Sequence, residues 1–216
     1  MLLTHHFPII LASGSVNRQQ MLKSVGLQFS VEVSGVDEDA LKRGFALDMH
    51  PVEKGLALAR AKTLAVSARY PDAYTIGGDQ ICALTQALTS PQGGEEFPRF
   101  IIFDKPGSHS KAEAQLAQLA GRTHQQHSAV VLAKGAEIVW ETVATATLTM
   151  RPLTAAQIHT YVAADAPIAA AGAYHFEALG RHLFASVEGD AEVIQGLPLT
   201  ALVQALHTHG VIAITG

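Results

Sequence analysis

The chain has 216 residues, 48% of them hydrophobic and 16% charged, with a formal net charge of −4 at pH 7. That length and balance fit a folded globular protein and exclude a disordered chain, while the acidic balance excludes a general affinity for nucleic acid or anionic lipid. No apolar run approaches membrane-spanning length, the N-terminus lacks a signal peptide's basic start and apolar centre, and the single Cys82 makes no internal disulfide. The expectation is therefore a cytoplasmic protein with neither a nucleic-acid nor a membrane partner.

The first predicted element is a buried strand. Ile9 to Ala12 is an unbroken apolar run that ends in Ser13-Gly14-Ser15, after which Met21, Leu22 and Val25 recur at helical spacing. A strand, a tight turn and a helix start leave free backbone N–H groups at the positive end of a helix dipole. An anion can be held there with the hydroxyls of Ser13 and Ser15. Arg18, one turn into the helix, adds a forked cation suited to phosphate. The plainer alternative is that Ser15 only caps the helix.

Gly26 stops that helix, and Gln28 to Val33 alternates as a half-buried strand would, followed by an acidic loop Val36-Asp37-Glu38-Asp39. Pro51 to about Ala68 is helical, with Leu58, Lys62 and Val66 in one row. A lysine in such a row either snorkels outward or aims its ammonium at an anion in a cleft. Ala73 to Leu84 is strand-like but is expected to break at Gly77-Gly78-Asp79-Gln80, where the backbone is unusual or another group comes close. Thr85 to Phe100 reads as an exposed hairpin extension and Phe103 to Gly107 as a turn. Ser110 and Glu113 have capping-box spacing for a helix through Leu116 and Leu119.

Thr123–Ala133 and Glu137–Leu148 are β-branched runs that predict an antiparallel hairpin across Lys134-Gly135-Ala136. Thr154 and Gln157 open another helix, Arg181 to Val187 reads as a strand, and Pro198 starts a closing helix with Leu199, Leu202, Val203 and Leu206 on one face. The mixed order of strands and helices predicts an α/β or α+β sheet fold.

Eleven histidines invite a metal site. His124 and His127, however, fall on opposite faces of a strand, and Cys82 reads as a small hydrophobe in an apolar strand. No glycine-rich loop ends in Gly-Lys-Ser/Thr, which excludes the P-loop ATPases. What remains is a set of groups for phosphate, Ser13, Ser15, Arg18, Lys62 and Lys105, and a set of carboxylates, Asp37, Glu38, Asp79 and Glu177. Hydrolysis of a phosphoanhydride uses such a mixture, cations and a metal ion on the phosphate oxygens and a carboxylate on the metal or the attacking water.

The segments Leu11-Ala12-Ser13-Gly14-Ser15 with Arg18, Leu58 to Lys62, Ile76-Gly77-Gly78-Asp79-Gln80, Lys105-Pro106, Gly121 to His124, Ala171 to Tyr174, and Gly189-Asp190 with Gly196 to Leu199 occur together in this order. In that combination the chain resembles the Maf-like family of nucleoside triphosphate pyrophosphatases from about Ile9 to Gly210. The resemblance implies one domain over residues 1–216, an α/β fold of the Maf/Ham1-like kind. This is a two-lobed mixed sheet flanked by helices with a central nucleotide cleft, and usually a homodimer. It also implies hydrolysis between the α and β phosphates with Mg²⁺ or Mn²⁺. Asp79 takes the proton-acceptor position, Ser13, Arg18, Lys62 and Lys105 take the phosphate positions, and Asp79 and Glu38 become the metal-side carboxylates.

The chain departs from the family pattern at Val16 and Asn17, where Pro and Arg are usual, at Ala178, where Gly is usual, and by an insertion near Pro91 to Arg99. Substrate choice tracks Asn17, Gln80 and Glu177. Gln80 and Glu177 resemble the subgroup acting on 7-methyl-GTP, since a glutamate accepts from the N1–H and exocyclic amine of guanine. Two alternatives stay open, a dTTP/UTP pyrophosphatase and a nucleotide-binding cell-division regulator with little turnover.

Overall fold

The computed structural model describes residues 2–88 and 97–215. In chain order the elements are β1 (Leu2–His5), β2 (Ile9–Leu11), α1 (Val16–Ser24), β3 (Ser30–Val31), α2 (Glu38–Arg43), α3 (Pro51–Ser67), β4 (Tyr74–Leu88), β5 (Phe97–Phe103) and α4 (His109–Leu119). There follow β6 (Thr123–Lys134), β7 (Glu137–Met150), α5 (Ala155–Asp165), a 3-10 turn (Leu179–Leu183), β8 (Phe184–Glu188), α6 (Ala191–Ile194), α7 (Leu199–Thr208) and β9 (Ile212–Thr215). Among these residues the main sheet has seven strands in the order β3-β2-β4-β6-β7-β8, with β5 also on β4, and β1 pairs with β9 apart from it. The β2–β3 and β2–β4 pairings are parallel and the others antiparallel, so the expected mixed α/β sheet is what the chain forms.

The β6–β7 hairpin turns at Gly135 and Ala136, both with positive φ (58° and 67°), the two-residue geometry whose twist matches the strands it joins. Residues of β4 alternate between two faces. Ile81 and Ala83 pack under Leu58 of α3, while Ile76 joins Leu22, Leu202 and Leu206 of α1 and α7 on the opposite face. Further along that opposite face, Cys82 and Leu148 lie with Leu116, Ile158, Val162 and Phe184 beneath α4 and α5.

Several expectations need correcting. The Val36–Asp39 acidic stretch is the start of α2: Asp37 caps it, accepting from the Ala40 N–H at 2.9 Å, and Glu38 and Asp39 stand in its first turn, where the dipole favours acids. The strand expected over Gln28–Val33 is reduced to Ser30–Val31, both exposed, because it lies at the sheet edge. Helix α4 is capped by Ser108 rather than Ser110. The Arg181–Val187 segment begins as a 3-10 turn, with Gly180 packed so tightly on the His175 backbone that a Cβ would lie 2.5 Å from its carbonyl oxygen.

Strand β4 is also unbroken. Gly77 and Gly78 sit in regular register opposite Val131 and Val130, and their lack of a side chain serves close approach instead. A Cβ on Gly77 would lie 2.0 Å from Thr63 Oγ1 of α3, and one on Gly78 would lie 2.8 Å from the Ala129 carbonyl oxygen. Residues 89–96, most of the expected insertion, lie outside the described residues; β4 and β5 on either side pair antiparallel, as a hairpin requires. No helix among the described residues is long and apolar enough to cross a membrane.

Candidate active site

One edge of β4 is shared by two partners. β2 pairs along it from Tyr74 to Ile76 and β5 from Cys82 onward, while β6 occupies the other edge from Tyr74 to Ala83. Gly77 to Ile81 therefore have no strand beside them on the β2 side among the described residues. This gap opens at the carboxyl end of a parallel strand, where ligands gather in open α/β sheets. Because the gap is an edge, residues from both faces of β4 reach it, Asp79 from the α3 face and Gln80 from the α1 face.

A cleft of 840 Å³ occupies the gap, and Ser13, Ser15, Asn17, Arg18, Glu38, Lys62, Asp79, Gln80, Lys105 and Glu177 all line it. Of the residues singled out for the site, all but Asp37 are thus brought to one cavity, from positions as far apart in the chain as Ser13 and Glu177. The turn after β2 follows the sequence reading: Ser15 is the N-cap of α1, its Oγ accepting from the Arg18 N–H, and the Ser15 N–H donates to Ser13 Oγ at 3.2 Å. Capping and anion binding are compatible, since one serine satisfies only one of the helix's four free N–H groups. Val25, expected on the buried side of α1, is exposed.

Lys62 resolves toward the cleft. It is 8% exposed, its ammonium pairs with Asp79 Oδ1 and reaches Glu38 Oε1 at 3.4 Å, and Asp79 is itself 8% exposed. The Gly77–Thr63 contact sets this pair, because a side chain on Gly77 would lift α3 and carry Lys62 away from the strand. On the other face, Arg18 donates from Nε to the Gly196 carbonyl at 2.9 Å and from Nη1 to Ser13 Oγ at 3.2 Å. Burial pulls the Arg18 guanidinium below its ordinary pKa, and the charges of Asp79 and Glu38 oppose that shift. A guanidinium short of water gains from an incoming anion, and the carboxylates across the cleft limit that gain.

Asn17 and Glu177 meet across the cleft, Asn17 Nδ2 donating to Glu177 Oε1 at 2.5 Å. Gln80 Nε2 donates to the carbonyls of Ile194 (2.7 Å) and Val193 (3.3 Å), so its amide hydrogens tie β4 to the turn before Gly196. Lys105 is exposed on the loop after β5, beside Asp104, which receives Lys42 Nζ at 2.5 Å. Sequence reasoning missed the backbone carbonyls of Val193, Ile194 and Gly196. It also missed the side chains of Gln126, Tyr174 and His175 on the cleft wall, although the Ala171 to Tyr174 segment had marked their neighbourhood.

The other sequence candidates lie elsewhere. His124 Nε2 meets Tyr174 OH at 3.0 Å and His127 Nδ1 meets Thr145 Oγ1 at 2.9 Å, on opposite faces of β6. Asp37 is spent on the α2 cap. Burial pushes the Cys82 thiol's pKa up, which fits an inert core position. Among the described residues no group of three or more His, Cys, Asp or Glu side chains is placed to hold a metal ion.

Residues 8–209 match the family profile described as Maf-like protein. The nucleoside triphosphate pyrophosphatase of Legionella pneumophila strain Paris is 39% identical over 199 residues, 92% of each chain. That of Bradyrhizobium diazoefficiens is 39% identical over 209 residues, 96% of each. Among solved structures, a HAM1 protein from Coxiella burnetii aligns over 94% of this chain and 99% of its own, with a TM-score of 0.43 and 14% identity. With the profile matched along nearly the whole chain and relatives of this identity, the chain belongs to the Maf-like family.

Proposed function

We propose that the chain is a nucleoside triphosphate pyrophosphatase that cleaves the α–β phosphoanhydride to a nucleoside monophosphate and pyrophosphate. The observation that carries this reading is the convergence of the Lys62–Asp79 pair, Arg18 and the capped N-terminus of α1 on one cleft. The names of the relatives at 39% identity agree with it.

The triphosphate lies against α1, where free N–H groups, Ser13, Ser15 and Arg18 hold its oxygens, and Lys62 and Lys105 add charge. Lys62 fixes one Asp79 oxygen, and the other accepts a proton from water attacking phosphorus. The electron pair of the broken P–O bond leaves on pyrophosphate, and the cations around it offset the developing charge.

Asp79 and Glu38 both reach the Lys62 ammonium, so two carboxylates stand at one point of the cleft, a set that suits Mg²⁺ or Mn²⁺ when phosphate oxygens complete the shell. Such an ion would neutralise phosphate oxygens and polarise the phosphorus.

For the base, Glu177 supports a guanine reading and 7-methyl-GTP as the favoured substrate. One of its oxygens is oriented by Asn17, leaving the other to accept from a guanine edge. Pyrophosphate release measured over GTP, 7-methyl-GTP, dTTP and UTP, with and without Mg²⁺, tests both levels. Fastest release from 7-methyl-GTP supports the full reading and preference for dTTP or UTP overturns the base assignment. Nucleotide binding with no release from any of them overturns the enzyme.

A further inference from the structure

The cleft wall facing α1 is formed by the loop that runs from the end of α5 to Glu177, and it carries a second ordered polar assembly. His175 lines the cleft with its side chain 28% exposed, and its Nδ1 lies 3.0 Å from Oδ2 of Asp165, whose side chain is 8% exposed. The same oxygen receives the Tyr161 hydroxyl at 2.7 Å, and the Tyr161 oxygen in turn accepts the His175 backbone N–H at 3.1 Å. Burial, and after it the bond to Asp165, push the Tyr161 hydroxyl's pKa up, so it stays a donor. With the carboxylate accepting at Nδ1, the imidazole is fixed in angle, and Nε2 has no protein hydrogen-bond partner among the described residues.

The arrangement is an expensive way to hold a loop. Asp165 is the last residue of α5, at the negative end of that helix's dipole, where a carboxylate is disfavoured and needs strong donors. The location also says which part of a ligand the imidazole meets. The cations that line the cleft, Arg18, Lys42, Lys62 and Lys105, stand on α1, α2, α3 and the loop after β5, interspersed with Glu38, Asp39, Asp79 and Asp104, whereas the His175 wall lines it with Glu177 and with no lysine or arginine, Asp165 lying behind His175. With Glu177 beside the imidazole and no lysine or arginine to offset it, this wall gives a phosphate no cationic partner, whereas a neutral group rich in hydrogen-bond donors and acceptors needs none.

We propose that His175, aligned by Asp165, contacts the nucleoside half of the substrate, the base edge or a ribose hydroxyl, and not the triphosphate. This rests on the nucleoside triphosphate reading of the cleft. Asp165 is a positioning residue and acts only through the imidazole.

The test is calorimetric binding of α,β-methylene GTP and α,β-methylene UTP, which resist cleavage at the bond in question, beside inorganic tripolyphosphate, which has no nucleoside. His175→Ala is expected to weaken at least one methylene nucleotide about tenfold, the loss of one good hydrogen bond, and to leave tripolyphosphate within about twofold. His175→Gln restores most of the difference. Asp165→Asn shows the same selective loss at smaller size, and retained tripolyphosphate binding certifies the fold of each variant. Equal weakening of nucleotide and tripolyphosphate, or no weakening of either, overturns the proposal, as does a wild-type protein that binds tripolyphosphate as tightly as the nucleotides. Selective loss in a protein that releases no pyrophosphate from any nucleotide leaves the His175 contact standing and removes the enzymatic reading instead.

Discussion

Adjacent strands of one sheet bury two polar groups of opposite kind. On β4, Asp79 forms a charged pair with Lys62 of α3 at the cleft, with Glu38 beside it. On β6, His124 and Gln126 share the Tyr174 hydroxyl, and His127 holds Thr145 from the other face, the three β6 residues being neutral and under 3% exposed. Each β6 group has a partner on a neighbouring segment and keeps a buried atom without one (His124 Nδ1, Gln126 Oε1 and His127 Nε2), and burial depresses both imidazoles to about 4, with His50 adding to the effect on His127. The β4 pair stands where water and ligand reach it, and a buried ion pair is a poor way to gain stability. The difference separates polar groups kept for chemistry from those kept for packing.

The sharpest way to break that comparison is to make the Asp79–Lys62 pair apolar. Lys62→Met with Asp79→Leu is expected to lower pyrophosphate release by about 10³-fold or more while Tm stays level or rises. A large drop in Tm would show the pair to be structural. Gly77→Ala is next: with Thr63 Oγ1 2.0 Å from the new Cβ, overpacking costs about 1–3 kcal/mol, read in urea titration, and kcat falls as α3 moves Lys62 off Asp79. Wild-type stability with normal kcat would mean that α3 adjusts without consequence.

The β6 side is probed by pH. Between about 6.5 and 4 the unfolded chain binds protons at His124 and His127 that the folded chain does not. Stability is therefore unaffected above about pH 6.5 and is lost as pH falls toward 4, by on the order of 2 kcal/mol for each ring. Denaturant titrations at pH 7 and pH 5 check this, and a flat profile would contradict it. Glu177→Gln tests the base assignment and is expected to reduce the preference for 7-methyl-GTP over UTP by about tenfold, one hydrogen bond's discrimination. The smallest effect belongs to Arg60→Ala, which breaks the exposed pair with Glu141 and shifts stability by less than about 1 kcal/mol with kcat unchanged.

The comparison also explains what was legible in the sequence. Local signals survived: the apolar run into Ser13-Gly14-Ser15, the Pro51 helix start, the Thr154–Gln157 capping box and the antiparallel hairpin, whose turn is Gly135-Ala136 with Lys134 already paired in the strand. Lys62 was readable as a choice between solvent and anion, and Asp79 decides it. Signals that depend on a distant partner misled. Gly77-Gly78 suggested a broken strand because nothing nearby in sequence announces Thr63 or Ala129 above them. The acids at Asp37 to Asp39 suggested a loop, although an acid-rich first turn with Lys42 and Arg43 at the far end is a helix's charge pattern. The Asp165–His175 contact joins two segments with no motif between them and is visible only once folded.

The central claim is that Asp79 accepts the proton of the attacking water while taking little part in holding the nucleotide. It is tested most directly by comparing wild type with Asp79→Asn in one pair of measurements, the rate of pyrophosphate release and the Kd for α,β-methylene GTP. The account predicts a loss of about 10³-fold in rate with Kd within about threefold of wild type. An Asp79→Asn protein that releases pyrophosphate at the wild-type rate would contradict it.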